Sequence, residues 1–142
     1  CIAGMTAGFW FTFPAGGFQT DPGPAGCPVV PSGSIRIRPF VARYSPNLVL
    51  EKRTYFGGSG NEWARSVAIG PDGDVWIAGE SSSADLPMNN AVQDKYAGGV
   101  TGCDGGDAFV ARFDPDLVEL RFSTFLGGAG SDVATALTID AR

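Results

Sequence analysis

The chain has 142 residues, enough for one ordinary domain with its own core, so we look for a single architecture that explains all of it. Ten Lys and Arg against fifteen Asp and Glu give a formal net charge of -5, with no basic cluster, which argues against nucleic-acid binding. The chain contains no His, which excludes Ser-His-Asp and Cys-His catalytic sites and His-ligated zinc within it. We therefore expect no enzymatic activity, no catalytic residue and no bound cofactor.

The first eighteen residues carry no charge, which by hydropathy alone would suggest a membrane span. Pro14 and several Gly interrupt this stretch, and its start, Ile2-Ala3-Gly4, matches the strand-like Ile77-Ala78-Gly79 further along. We therefore predict no transmembrane segment in this chain. We interpret Cys1 as a point inside a repeat rather than as an acylated first residue, and expect any targeting segment to lie outside this sequence.

An aromatic run follows, and it contributes the candidate protein-interface residues Phe9, Trp10, Phe11 and Phe13. Its counterpart in the next repeat, residues 82–86, reads SSADL, so aromatic side chains stand where a repeat normally faces water. Exposed aromatic loops often anchor protein interfaces, and one hypothesis is that this loop docks on a partner protein. The alternative is that Phe9 and Phe13 fold back beneath their own loop as a small apolar cluster.

Three cysteines, Cys1, Cys27 and Cys103, form no CxxC pair, and their odd number leaves at least one without a partner inside the chain. Cys27 and Cys103 fall in the same long loop of adjacent repeats. A disulfide between them is conceivable in an oxidising compartment, and free or otherwise paired thiols are the alternative.

Four short segments rich in Val, Ile, Phe and Trp predict strands at 63–70, 75–80, 108–113 and 119–126. Pro71-Asp72-Gly73-Asp74 predicts a tight hairpin between the first two, because Pro suits the first corner and Gly accepts a positive φ. Asp114-Pro115-Asp116 predicts a similar corner between the last two. On the third strand both faces carry apolar atoms, which suits a sheet packed between two neighbours.

The sequence repeats itself with a period of 69 to 70 residues. Residues 39–58 read PFVARYSPNLVLEKRTYFGG and residues 108–128 read AFVARFDPDLVELRFSTFLGG, and a Gly-rich segment closes each copy at 57–60 and 127–130. We therefore divide the chain into the second half of one unit (1–58, its second to fourth strands), a complete unit (59–128) and the first strand of a third (129–142).

Four acidic residues lie in Gly-rich turns and are candidate calcium ligands: Asp72, Asp74, Asp104 and Asp107. Asp also favours turns because its side chain bonds its own backbone, and we prefer that structural interpretation. No other metal site is predicted. Glu62 and Asp132 occupy equivalent positions after the Gly-rich segments, and we expect a repeated structural role for them.

The repeat resembles the bacterial SBBP-type β-propeller repeat family, whose units carry a Tyr-Leu-Gly-Gly-Ser-Gly-like stretch, a Val-Thr-Gly-like strand end and an Ala-Phe-Val-Ala-Lys-like strand. The counterparts are residues 55–60, 77–79 and 108–112. The resemblance implies an all-β fold of four-stranded antiparallel propeller blades, in a secreted, periplasmic or cell-surface bacterial protein. About two blades lie in this chain, whereas closed propellers have roughly four to eight.

Two blades alone leave strand edges and apolar faces open, so we expect further repeats or protein partners to cover them. We expect a non-catalytic scaffold or protein-interaction module, either in a surface protein or as an accessory subunit of a larger assembly. The alternative function is a propeller that binds a glycan or another small ligand, with Trp63 and Trp76 as stacking residues and calcium as a stabiliser.

Overall fold

The computed structural model describes residues 2–7, 16–21, 37–98 and 106–140, and for residues 2–7 only the backbone is considered. Within these ranges the chain is all-β and contains seven strands and no helix. The strands are β1 (Ile2–Ala7), β2 (Ile37–Tyr44), β3 (Leu50–Tyr55), β4 (Glu62–Ile69), β5 (Val75–Ser81), β6 (Asp107–Phe113) and β7 (Leu120–Leu126).

The strands form two antiparallel sheets, one of three strands in the order β1-β2-β3 and one of four in the order β4-β5-β6-β7. All four strands predicted for the complete unit are confirmed, each within one residue of its predicted bounds. β2 and β6 each carry a register shift at the same repeat position, after Arg43 and after Arg112. The two sheets are therefore copies of one unit, the first lacking its opening strand in the described part of the chain.

The turn between β4 and β5 has the predicted glycine with a positive φ, whereas the turn between β6 and β7 uses a leucine instead. Gly73 has a φ of +85°, and the amide of Gly70 donates to the carbonyl of Asp74 at 2.9 Å, which confirms the hairpin. The second corner is closed by Leu117, whose φ is +59°, and its counterpart Leu48 has the same φ. A left-handed Leu is sterically unfavourable, and Asp114 compensates by accepting the amides of 118 and 119 at 2.8 and 2.7 Å.

The core lies between the two sheets. We call the two faces of each sheet front and back. The front face carries Phe40, Ala42 and Tyr44 in the first sheet, and the equivalent residues Phe109, Ala111 and Phe113 in the second. The back face carries Val41 and Phe56 in the first sheet, and the equivalent residues Val110 and Leu126 in the second. The back face of the first sheet packs on the front face of the second, where the ring of Phe56 lies 5.5 Å from those of both Phe109 and Phe113.

β4 lies at the edge of the second sheet and contacts β1 and β2 of the first. Its backbone also approaches β5 so closely that a Cβ atom at Gly79 would collide with the carbonyl oxygen of Trp63. Only Gly fits at this position of β5. The described residues contain no helix with the length and apolar character needed to cross a membrane.

Residues 129–140, where the first strand of a third unit was predicted, belong to no strand in the structure. In the complete unit such a strand pairs with the one that follows it. Residues 131–140 are nevertheless attached to the second sheet, because Asp132 and Ala134 donate backbone hydrogen bonds to Gly106 and Gly79 at 2.7 and 3.2 Å. The division of the chain into repeat units stays a prediction.

Candidate functional site

In each unit, a glutamine in the loop between the second and third strands is bonded to the last strand and to the Gly-rich segment after it. The backbone N–H of Gln19 donates to Oγ1 of Thr54 at 2.9 Å, and its Oε1 accepts the amide of Gly57 at 3.0 Å. The second unit repeats both bonds at 2.9 and 3.1 Å with the equivalent residues Gln93, Thr124 and Gly127. The shared network fixes the Gly-rich segments in the same place in both units. Its Gln residues were missed from sequence because the loops that follow them, before β2 and before β6, differ in length.

A buried ion pair lies where the first unit passes into the second. Nη1 of Arg38 is 2.9 Å from Oε2 of Glu62, and both side chains are almost completely buried. Arg38 also donates to the carbonyl of Gly58, and the hydroxyls of Ser81 and Ser83 donate to Oε1 of Glu62. Gly57 lies directly against the pair, and a Cβ atom at that position would collide with both charged groups. We call this set the first junction.

Burial raises the pKa of Glu62 above its ordinary value of 4.5, and the opposing effects of Arg38 and the Ser81 and Ser83 hydroxyls only partly offset it. A carboxyl whose pKa is raised by folding stabilises the folded protein most below its unfolded pKa. That contribution is lost as the pH rises through the folded pKa.

We therefore expect the stability of the native chain, relative to a Glu62→Gln variant, to fall as the pH rises from about 4.5. The loss should be about 1.4 kcal/mol for each unit by which the pKa is raised. Urea unfolding of both proteins at several pH values between 4 and 8 measures the difference. If the native chain instead becomes more stable relative to Glu62→Gln as the pH rises, the effect of Arg38 on the pKa of Glu62 outweighs that of burial.

The second junction, where residues 131–140 meet the second unit, has the same backbone plan but different charges. Ser131 accepts the amide of Gly106 through Oγ at 3.3 Å, just as Asn61 accepts the amide of Ile37 at 3.0 Å. The charged positions, however, are now both acidic, because Asp107 replaces Arg38 and Asp132 replaces Glu62. The expectation of a repeated structural role for Glu62 and Asp132 thus fits their backbone positions, while the charges opposite them differ.

At the far end of the second sheet, Asp72 and Asp74 lie in a cluster with two arginines. Asp74 is fully buried and uses both oxygens, one with Arg112 and one with Nη1 of Arg121 at 2.6 Å. Asp72 lies 2.6 Å from Nη2 of Arg112, and the backbone hydrogen bond from Asp74, more than that arginine, holds the pKa of Asp72 below its ordinary value. Arginines therefore surround these carboxylates. Both oxygens of Asp74 are already paired, which argues against Asp74 as a calcium ligand.

The two tryptophans considered as ligand-stacking residues are both half-buried on the second sheet. The guanidinium carbon of Arg112 lies 5.3 Å from the ring centre of Trp76, and the ring of Phe122 lies 6.2 Å away. The ring of Trp76 is therefore already in contact with side chains of its own sheet. Trp63 lies on β4, the strand that contacts the first sheet.

Several predicted site residues lie outside the described part of the chain. They are Phe9, Trp10, Phe11 and Phe13 of the aromatic run, Cys1, Cys27 and Cys103 of the disulfide hypothesis, and Asp104 of the calcium hypothesis. The docking and disulfide hypotheses therefore stay predictions. Of the calcium candidates, Asp107 is described and fully buried, and it belongs to the second junction.

Within the described residues, no group of three or more His, Cys, Asp or Glu is arranged to hold a metal ion. Comparison of the chain with models of known protein families, with curated proteins and with solved structures gave no match. The functional interpretation therefore rests on the repeat, on the two faces of its sheets and on the junctions between units.

Proposed function

We propose that this chain is a section of a β-propeller whose blades stack front to back, and that it serves as a non-catalytic scaffold and protein-interaction module. The resemblance of the repeat to SBBP-type units supports a place in a secreted or cell-surface bacterial protein. The proposal is carried by one observation: three residues buried at the contact between the sheets have exposed counterparts on the faces that no described sheet covers, although Ala42 and Tyr55 on the front face of the first sheet are buried as well.

On the front face, Phe113 and Leu117 of the second sheet are both 0% exposed because the first sheet covers them. Their counterparts in the first sheet, Tyr44 and Leu48, are 37% and 82% exposed. The backbone conformation is the same at both leucines, so the difference in exposure comes from the neighbour and not from the turn. The front face of the first sheet therefore has the composition of a contact surface without its partner.

The back faces show the same pattern with the two sheets exchanged: here the first sheet is covered and the second is not. Phe56 of the first sheet is 0% exposed against the second sheet, whereas its counterpart Leu126 is 47% exposed. The surface that each unit offers to the next therefore differs from the one it offers to the previous unit. Contacts between unlike faces build rings when the rotation per unit closes and open arrays when it does not, and a propeller is such a ring.

A polar rim accompanies the apolar contact between the sheets. Nη1 of Arg43 donates to the carbonyl of Pro115 at 3.0 Å, and Nζ of Lys52 lies 3.1 Å from Oδ1 of Asp116. The corner of the second unit thus sits on the back face of the first. Arg112 is the counterpart of Arg43, and we expect it to meet the corner of a following unit in the same way.

The proposal predicts that copies of this chain associate front to back, which two single variants test. Leu48→Asp disables the front face and Leu126→Asp the back face, so each variant alone should remain monomeric in analytical ultracentrifugation. An equal mixture should form a one-to-one dimer, because one variant keeps its back face and the other its front face. The native chain should form larger species.

Val49→Asp is the matched control for Leu48→Asp. Val49 is 61% exposed, and its counterpart Val118 is 52% exposed although its sheet is covered by a neighbour, so this position lies outside the contact. The control should associate like the native chain. A native chain that stays monomeric at high concentration, or a mixture that fails to form the dimer, would contradict front-to-back stacking.

A further inference from the structure

The second junction gathers negative charge without the positive partner that the first junction has. The oxygens Oδ1 of Asp107 and Oδ2 of Asp132 each lie 2.8 Å from the point where a Cβ atom on Gly127 would stand. They are therefore no farther apart than twice that distance. Within the described residues, neither carboxylate forms an ion pair with a Lys or Arg.

The two oxygens of Asp107 have very different surroundings. Oδ2 accepts the amide of Ala97 at 2.7 Å and lies 3.4 Å from Nε2 of Gln93. Oδ1 is buried, and among the described residues it has no hydrogen-bond partner. A buried charged oxygen without a partner is strongly unfavourable, so this atom is suited to a bound ligand.

A second unpartnered oxygen lies on the same side. Within the described residues, the hydroxyl of Tyr96 is buried and makes no hydrogen bond. It lies 2.7 Å, and Oδ1 of Asp107 lies 3.0 Å, from the point where a Cβ atom on Gly98 would stand. A Cβ atom at Gly98 or Gly127 would press against these oxygens, so the two glycines keep side-chain atoms of their own away from Oδ1 of Asp107.

We propose that the second junction binds a divalent cation of the calcium type between Asp107 and Asp132. Calcium takes oxygen ligands, and this site offers two carboxylates and the Tyr96 hydroxyl, with water to complete the shell. Asp132 is half-buried and accepts the amide of Gly128 at 2.9 Å through Oδ2, so its other oxygen is available as well. The cation takes the electrostatic place that Arg38 has at the first junction.

The proposed site has few charged ligands, and its affinity should be weak. Sites of this kind in extracellular modules have dissociation constants of about 10⁻⁴–10⁻³ M. The inference rests on contacts within this chain and does not depend on the front-to-back assembly. It can therefore be tested on the monomeric Leu48→Asp variant, which separates its outcome from that of the proposed function.

The test is a calcium titration of the Leu48→Asp chain by isothermal calorimetry, together with thermal unfolding in calcium and in EDTA. We expect one site per chain and a higher unfolding temperature in calcium. Asp107→Asn and Asp132→Asn should each weaken binding at least tenfold. Asp94→Asn, which removes one exposed charge of the same loop region, should bind calcium like its parent.

Asp107→Arg is a second variant, and it replaces the proposed cation with a positive side chain instead of only removing a ligand. It rebuilds the arrangement of the first junction, with an arginine opposite an acid, so the chain should fold and its unfolding temperature should no longer respond to calcium. No heat of binding up to about 10 mM calcium, well above the expected dissociation constant, would overturn the inference. So would equal calcium responses in the parent, Asp107→Arg and Asp132→Asn chains.

Discussion

Replacing Phe113 with alanine is expected to lower the free energy of unfolding by about 3–5 kcal/mol. Its ring is fully buried between the sheets and lies 5.8 Å from that of Phe18 and 5.5 Å from that of Phe56. Alanine would leave a cavity that two sheets with fixed strand pairing cannot close. Urea unfolding followed by tryptophan fluorescence measures the loss.

Tyr44→Ala is the matched control, because Tyr44 occupies the same repeat position on the first sheet but is 37% exposed. Its replacement should cost about 1 kcal/mol, the ordinary cost of a substitution outside a packed core. Both variants should be measured on the Leu48→Asp monomer, so that association does not contribute. Equal losses at the two positions would contradict a core confined to the contact between the sheets.

Glu62→Ala is expected to destabilise the protein by about 3–5 kcal/mol, because it removes one partner of the buried ion pair with Arg38. It also removes the acceptor of the Ser81 and Ser83 hydroxyls. Equilibrium unfolding at neutral pH measures the effect. The equivalent Asp132→Ala change should cost much less, because Asp132 is half-buried and has no arginine opposite it.

The double variant Arg38→Met with Glu62→Met tests whether the loss comes from the orphaned charge. Removing both charges avoids a buried ion without a partner, and apolar replacements of a buried pair are often neutral or stabilising. The double variant should therefore be more stable than Glu62→Ala. A double variant that is less stable would show that the pair itself, with its hydroxyl partners, is a net source of stability.

The repeat made most of the fold predictable. Two aligned copies located the strands, and the alternation of Phe109, Ala111 and Phe113 indicated a sheet covered on both faces. The turn at Gly73 was predictable because its chemistry is local. The turn at Leu117 was not, since a left-handed leucine is stabilised by Asp114 and by burial against the neighbouring sheet. Residues 129–140 are in no strand, although their sequence resembles that of β4.

Only part of each junction could be predicted from the sequence. Aligning the repeats placed Glu62 and Asp132 at equivalent positions, but nothing local indicated that Arg38, 24 residues earlier, faces Glu62 across Gly57. Such a contact depends on how one sheet lies on the next. The turn carboxylates Asp72 and Asp74 were identified correctly as turn residues, but their arginine partners come from β6 and β7. Sequence spacing alone cannot bring those strands together.

The charges at the two junctions differ, and this difference affects which unit can follow which in an array built by duplication. A unit that carries Arg38 in β2 is suited to a follower that begins with an acid. A unit that carries Asp107 at the same position places it next to Asp132, and within the described residues neither acid forms an ion pair. An array made only of copies of residues 59–128 would set Asp107 against Glu62 at every seam and would gather negative charge at each one. In the proposed arrangement, single residues at the junctions would therefore favour one order of the units over another.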